Sequence, residues 1–166
     1  MIVRTTFHRG PGTYELLLVS SGAGSICGAL LVAAMKRLKG QDRLAVLALF
    51  ALGLTTAGFA VSKWLSVSCI LIFLAGTAVM ASASLLLSLV QLIVVDSMRG
   101  RVMSVYNLAF RAGIPFGALS LGKLIPIFGV SIAIAAFGLS LVGVATYFLI
   151  VMTKVPTFRP NVKSEL

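Results

Sequence analysis

Asp96-Ser-Met-Arg99-Gly-Arg101-Val-Met-Ser104-Val-Tyr-Asn107-Leu-Ala-Phe110-Arg111-Ala-Gly113-Ile-Pro115-Phe-Gly117 decides how the rest of the chain is read. It opens as a charged turn between two apolar runs, then carries Asn107, Arg111 and Pro115 into the second run. A charged side chain inside an apolar helix is costly, so it marks a function or a partner. The runs on either side identify the medium that this helix crosses.

The 166 residues are 59% hydrophobic and 11% charged, with a mean hydropathy of +1.08. A soluble domain typically has about 25% charged residues. The apolar residues also fall in blocks about as long as the roughly 20 residues a helix needs to cross a bilayer. The fold class is therefore all-α: a polytopic membrane helix bundle of about five transmembrane helices. The net charge of +10 does not point to nucleic acid, because the basic residues sit in short turns with no basic face and no aromatic platform. That placement suits loops held at an anionic lipid bilayer.

No cofactor and no metal site are expected. His8 is the only histidine and lies in the leading segment; Cys27 and Cys69 sit inside apolar blocks as small packing residues. Intramembrane enzymes need clustered His, Asp, Glu, Ser or Cys at helical spacing, and none is present, so the chain is not expected to be an enzyme. No cleavable signal peptide is expected either, since the first apolar block is full length and starts after Gly10-Pro11-Gly12.

The spans are expected at about 14–35, 44–62, 67–95, 102–124 and 130–152, with an extracytoplasmic leading segment (1–13) and a disordered cytoplasmic tail (154–166). Trp64 reads as an interfacial anchor, Thr55 and Thr56 as hydroxyls bonded to their own backbone, and Pro126–Gly129 as a turn. Segments 36–43, 97–101 and the tail hold nine Lys or Arg, whereas 1–13, 63–66 and 123–129 hold four. That asymmetry puts the C-terminus in the cytoplasm of a multi-pass protein of the cell membrane.

Helical wheels separate the faces. Gly24 and Gly28 form a GxxxG flanked by Ser21 and Ser25, a stripe suited to close helix packing. Thr77, Ala81, Ser84, Ser88 and Gln91 fall within an arc of about 80° on the third span. This is either a polar wall of a cavity or a packing seam of small groups. On the fourth span Ser104, Asn107, Arg111, Pro115 and Ala118 share one face, while Gly113, Gly117 and Ser120 occupy the opposite one. The fifth span is apolar nearly all round and is expected to face lipid.

Asp96-x-x-Arg99-Gly-Arg101-Val-Met-Ser104, followed by Asn107-Leu-Ala-Phe110-x-x-Gly113-x-Pro115-x-Gly117, resembles the major facilitator superfamily, in particular the branch of enterobactin and macrolide exporters. The first span (Tyr14-Glu-Leu-Leu-Leu…Gly24…Gly28-Ala-Leu) is similar to the eighth helix of that branch, and the basic turn 36–43 to a degenerate copy of the loop between the superfamily's second and third helices. The resemblance covers residues 1–153. It implies that the five spans correspond to helices eight to twelve of a twelve-helix transporter, with helices one to seven missing. The implied activity is secondary active transport, proton-coupled efflux of a small molecule such as a drug, siderophore or metabolite across the bacterial inner membrane. A separate chain supplying the missing helices is then a possible partner. The resemblance also implies a cavity lined by the third and fourth spans.

Under that resemblance Asp96, Arg99 and Arg101 are candidates for a conformational latch, the alternative being positive anchors in a solvated loop. Arg111 lies ten residues beyond Arg101, about 15 Å at helical rise. With Asn107, Gln91, Ser88, Ser84 and Thr77 it is a candidate for contact with an anionic substrate or for proton coupling. Its alternatives are a structural pair with an acid from absent helices, or snorkelling. Gly24, Gly28, Gly113, Pro115 and Gly117 are the packing and kink candidates. A non-transporting scaffold or assembly protein, or a non-functional gene fragment, is the competing reading.

Overall fold

The computed structural model describes residues 11–35, 41–62 and 64–154. Residues 1–10 of the expected leading segment (1–13), residues 36–40 of the basic turn (36–43), Lys63 and the tail from 155 onward lie outside the described residues. Five long helices follow one another: α1 (Pro11–Ala34), α2 (Gln41–Val61), α3 (Leu65–Ile93), α4 (Arg99–Phe128) and α5 (Val130–Lys154). All five are long and apolar enough to cross a membrane, and α4 is the least apolar. Lipid offers no hydrogen-bond partners, so an apolar chain in it satisfies its amides and carbonyls within each helix. Hydroxyls on these helices are absorbed in the same way. Thr55 donates to the Ala51 carbonyl at 2.9 Å and Thr56 to that of Leu52 at 2.7 Å.

Helix α3 has 29 residues, about 43 Å at helical rise. It overshoots a hydrocarbon core of about 30 Å and must tilt or extend beyond it. A single 3₁₀ turn, Asp96–Met98, leads directly into α4 at Arg99. The fourth helix therefore begins three residues before the expected Val102. Its far end also needs correction, because α4 continues through Pro126 to Phe128. The reversal falls on Gly129 alone, at φ 81° and ψ 163°. That backbone region is open essentially only to glycine, so this one residue joins α4 to α5.

In space the helices run α1–α3–α2–α5–α4. The α1–α3 seam is the closest. A Cβ added at Gly24 would land on the carbonyl oxygen of Phe73, one at Gly28 on that of Thr77, and one at Gly76 on that of Ser21. These matched positions advance together, so α1 and α3 are parallel. Helices α2 and α5 run antiparallel through a second glycine seam: a Cβ on Gly53 would stand 2.8 Å from the Gly138 oxygen and one on Gly138 2.6 Å from the Ala57 nitrogen. The fifth helix, expected to face lipid, packs one side on α2: Ala133, Gly138 and Ala145 are buried while Ile132, Leu139 and Tyr147 are exposed. At the α2–α3 corner, fully buried Ser68 donates to the Ser62 hydroxyl at 3.1 Å. Helix α4 stands apart: it makes the lightest contact of the five, and none of its residues is buried.

Candidate functional site

The turn at Asp96 is built by α3 stopping. Val94 and Val95 are extended, and the Val94 amide still reaches the Val90 carbonyl at 3.1 Å. The Gln91 carbonyl, one residue on, lies in the last turn of α3, where helical amides run out. Arg99 supplies a donor, its Nη2 reaching that oxygen at 3.3 Å. Its Nη1 pairs with Asp96 Oδ1 at 3.2 Å. A cation at a helix C-terminus also complements the helix dipole. The Asp96–Arg99 pair is exposed on both sides; such a pair is worth between zero and about 1 kcal/mol. Its physical effect is to tie the start of α4 to the end of α3.

Beyond the turn, α4 runs antiparallel to α3. Tyr106 donates to the Ala83 carbonyl at 3.4 Å and stacks on Phe110 at 6.3 Å between ring centroids. Asn107 and Arg111 are exposed, and among the described residues neither hydrogen-bonds nor forms an ion pair. Ser104, on the same face, donates to the Gly100 carbonyl at 2.9 Å. Pro115 has no amide for the Arg111 carbonyl and Pro126 none for that of Gly122. Exposed cation, exposed amide and freed carbonyl therefore occur within two turns of one helix.

The α3 stripe divides along its length. Thr77, at one end, is half-buried in the α1–α3 seam and shares its hydroxyl proton between the carbonyls of Phe73 at 2.9 Å and Gly24 at 3.0 Å. Ser84 is half-buried, and Ser88 and Gln91 are exposed. Thr77 thus sits with Gly24 and Gly28 in a packing seam, while Ser88 and Gln91 stand nearer the Asp96 turn along α3. Gly113 and Gly117 have no atom within 4 Å of an added Cβ, so no described helix fills the smooth side of α4. Sequence reasoning missed Gly53, Gly76 and Gly138. They occur singly, without a GxxxG to mark them, and their pairing joins residues far apart in the chain.

Among the described residues no group of three or more His, Cys, Asp or Glu could hold a metal ion. What the geometry supplies is an apolar scaffold, a charged hinge-like turn and a helix bearing unpaired polar groups. A family model described as "transmembrane secretion effector", of the major facilitator type, matches residues 1–165. The chain belongs to this family. The transmembrane secretion effector match makes the protein a multi-pass membrane transporter in general terms and points away from an enzyme. It also accords with contact to the lipid bilayer and to a small-molecule substrate. No curated protein and no solved structure matches the chain.

Proposed function

We propose that this transmembrane secretion effector is a secondary active exporter of a small molecule, driven by the proton gradient. In this reading it belongs with the enterobactin and macrolide exporters, and α1 to α5 take the parts of helices eight to twelve. The observation that carries the proposal is α4: a 30-residue helix without a single buried residue, bearing exposed Asn107 and Arg111 at mid-span. An arginine at that depth calls for an anionic partner or a watery cavity. Arg111 and Asn107 contact the substrate or the coupling proton, and Gln91, Ser88 and Ser84 extend the same wall, while Thr77 stays in the α1–α3 seam. Asp96, Arg99 and Arg101 act as the latch at the α3–α4 turn. Alternating access works by two pseudo-symmetric repeats moving against each other. In this reading, helices of a separate segment or chain complete the cavity on the Asn107 and Arg111 face of α4, and a neighbour also fills the opposite, smooth side marked by Gly113 and Gly117. The nine-to-four bias of basic residues supports a cytoplasmic C-terminus in a bacterial inner membrane.

The test is proton-driven efflux from vesicles containing the full chain, alone and together with proteins encoded beside it. Arg111→Ala is expected to abolish transport at wild-type protein level. Undiminished transport by that variant would remove Arg111 from the mechanism. Asp96→Asn should shift cysteine-label accessibility between the two membrane faces, and unchanged labelling would eliminate the latch. The glycine seams among α1, α2, α3 and α5 favour a second reading, a scaffold that assembles without transporting. Stable complexes with other membrane proteins and no flux under any gradient would select it.

A further inference from the structure

A groove lies between the last turns of α3 and the first turns of α4. It is shallow and open to the outside, with a volume of about 370 Å³. Val90, Val102, Val105, Tyr106 and Arg101 line it, and its wall is wholly apolar. Arg101 therefore contributes its aliphatic stem, and its exposed guanidinium stays at the rim. Tyr106 directs its hydroxyl at the Ala83 carbonyl and offers the groove its ring.

We propose that this groove holds an acyl chain of an anionic phospholipid whose phosphate pairs with Arg101. Three observations meet here. The groove's lining on α4 starts at Arg101, three residues past the Asp96–Met98 turn where the apolar runs stop, and reaches Tyr106 about 7.5 Å further along the helix. It thus runs from headgroup depth into the acyl region. Asp96 is already paired with Arg99, and among the described residues no carboxylate forms an ion pair with Arg101. A cation without a protein counter-charge over an apolar groove complements a molecule with an anionic head and an apolar tail. A free phosphate would leave the groove unfilled, and a zwitterionic lipid would bring its own cation towards Arg101. The inference concerns lipid binding and does not depend on transport.

The wild-type chain is placed in phosphatidylcholine vesicles with phosphatidylglycerol carrying a photoactivatable group on its acyl chain. Crosslinks are expected at Val90, Val102 or Val105. Excess phosphatidylglycerol should suppress them, while phosphatidylcholine and inorganic phosphate should not. In native mass spectrometry Arg101→Ala should lower retained phosphatidylglycerol roughly five-fold, the worth of one interfacial arginine. Arg101→Lys should keep most of it, and Val105→Trp should lower it by filling the groove with the charge intact. Crosslinks spread evenly over exposed helix faces would overturn the proposal. So would equal competition by phosphatidylcholine, or a loss in Arg43→Ala as large as in Arg101→Ala.

Discussion

Gly24 and Gly113 each open a GxxxG, yet they meet opposite surroundings. A side chain on Gly24 has to displace the backbone of α3 at Phe73, and backbone cannot rotate away as a side-chain tip can. Gly24→Leu should cost at least the ~1–3 kcal/mol of overpacking, read as unfolding in mixed micelles. Gly113→Ala meets nothing within 4 Å and should shift the same measurement by less than about 0.5 kcal/mol. A large loss at Gly113 would reveal a helix packed there. Thr77 bonds both to its own helix and to Gly24, so Thr77→Val loses a shared contact. About 0.6 kcal/mol is expected, the usual worth of an interhelical hydrogen bond in a membrane. A cost of several kcal/mol would assign Thr77 a larger part than seam packing.

At the scale of elements, the α4–α5 hairpin depends on one dihedral pair. Gly129 occupies φ 81° and ψ 163°, where any side chain is strained. Gly129→Ala should destabilise the hairpin by about 1–3 kcal/mol. Double electron–electron resonance between labels on α4 and α5 would show this as a broadened distance distribution. An unchanged distribution would mean that the reversal relaxes to another geometry at no cost. Arg99 has a similar joining role at the opposite end of α4, through Asp96 and the Gln91 carbonyl. Between these two junctions, α4 contains two prolines and no buried residue.

For the whole molecule, this asymmetry separates a packed group from a lightly held helix. Four helices interlock through close seams, while α4 rests beside α5 and touches α3 through Tyr106. Local opening follows contact density. Hydrogen exchange of the chain in micelles should therefore be fastest in α4 and slowest in the α1–α3 pair. Uniform exchange over all five helices would contradict the division. Co-expression with a chain supplying the proposed partner helices should slow α4 specifically and leave α1 and α3 unchanged.

Much of this was legible in the chain itself, and the physical reason is locality. Lipid forces each apolar run to satisfy its own backbone, so length and hydropathy determined five helices long and apolar enough to cross a membrane. Gly24 and Gly28 share a face because residues four apart in a helix always do, and that face lies against α3. Where the helices met was decided only in three dimensions. Gly53 approaches Gly138, and Gly76 approaches Ser21, pairings between single residues with no local signature. Pro126 read as a turn, but an α-helix tolerates the missing amide and Gly129 alone takes the dihedrals that reverse the chain. The Asp96–Gly117 stretch was likewise readable as a charged turn followed by a polar helix. Tertiary structure decided that Arg99 caps α3, that Arg101 overhangs an apolar groove, and that Asn107 and Arg111 stand on a helix no neighbour covers, because those outcomes depend on how separate helices pack.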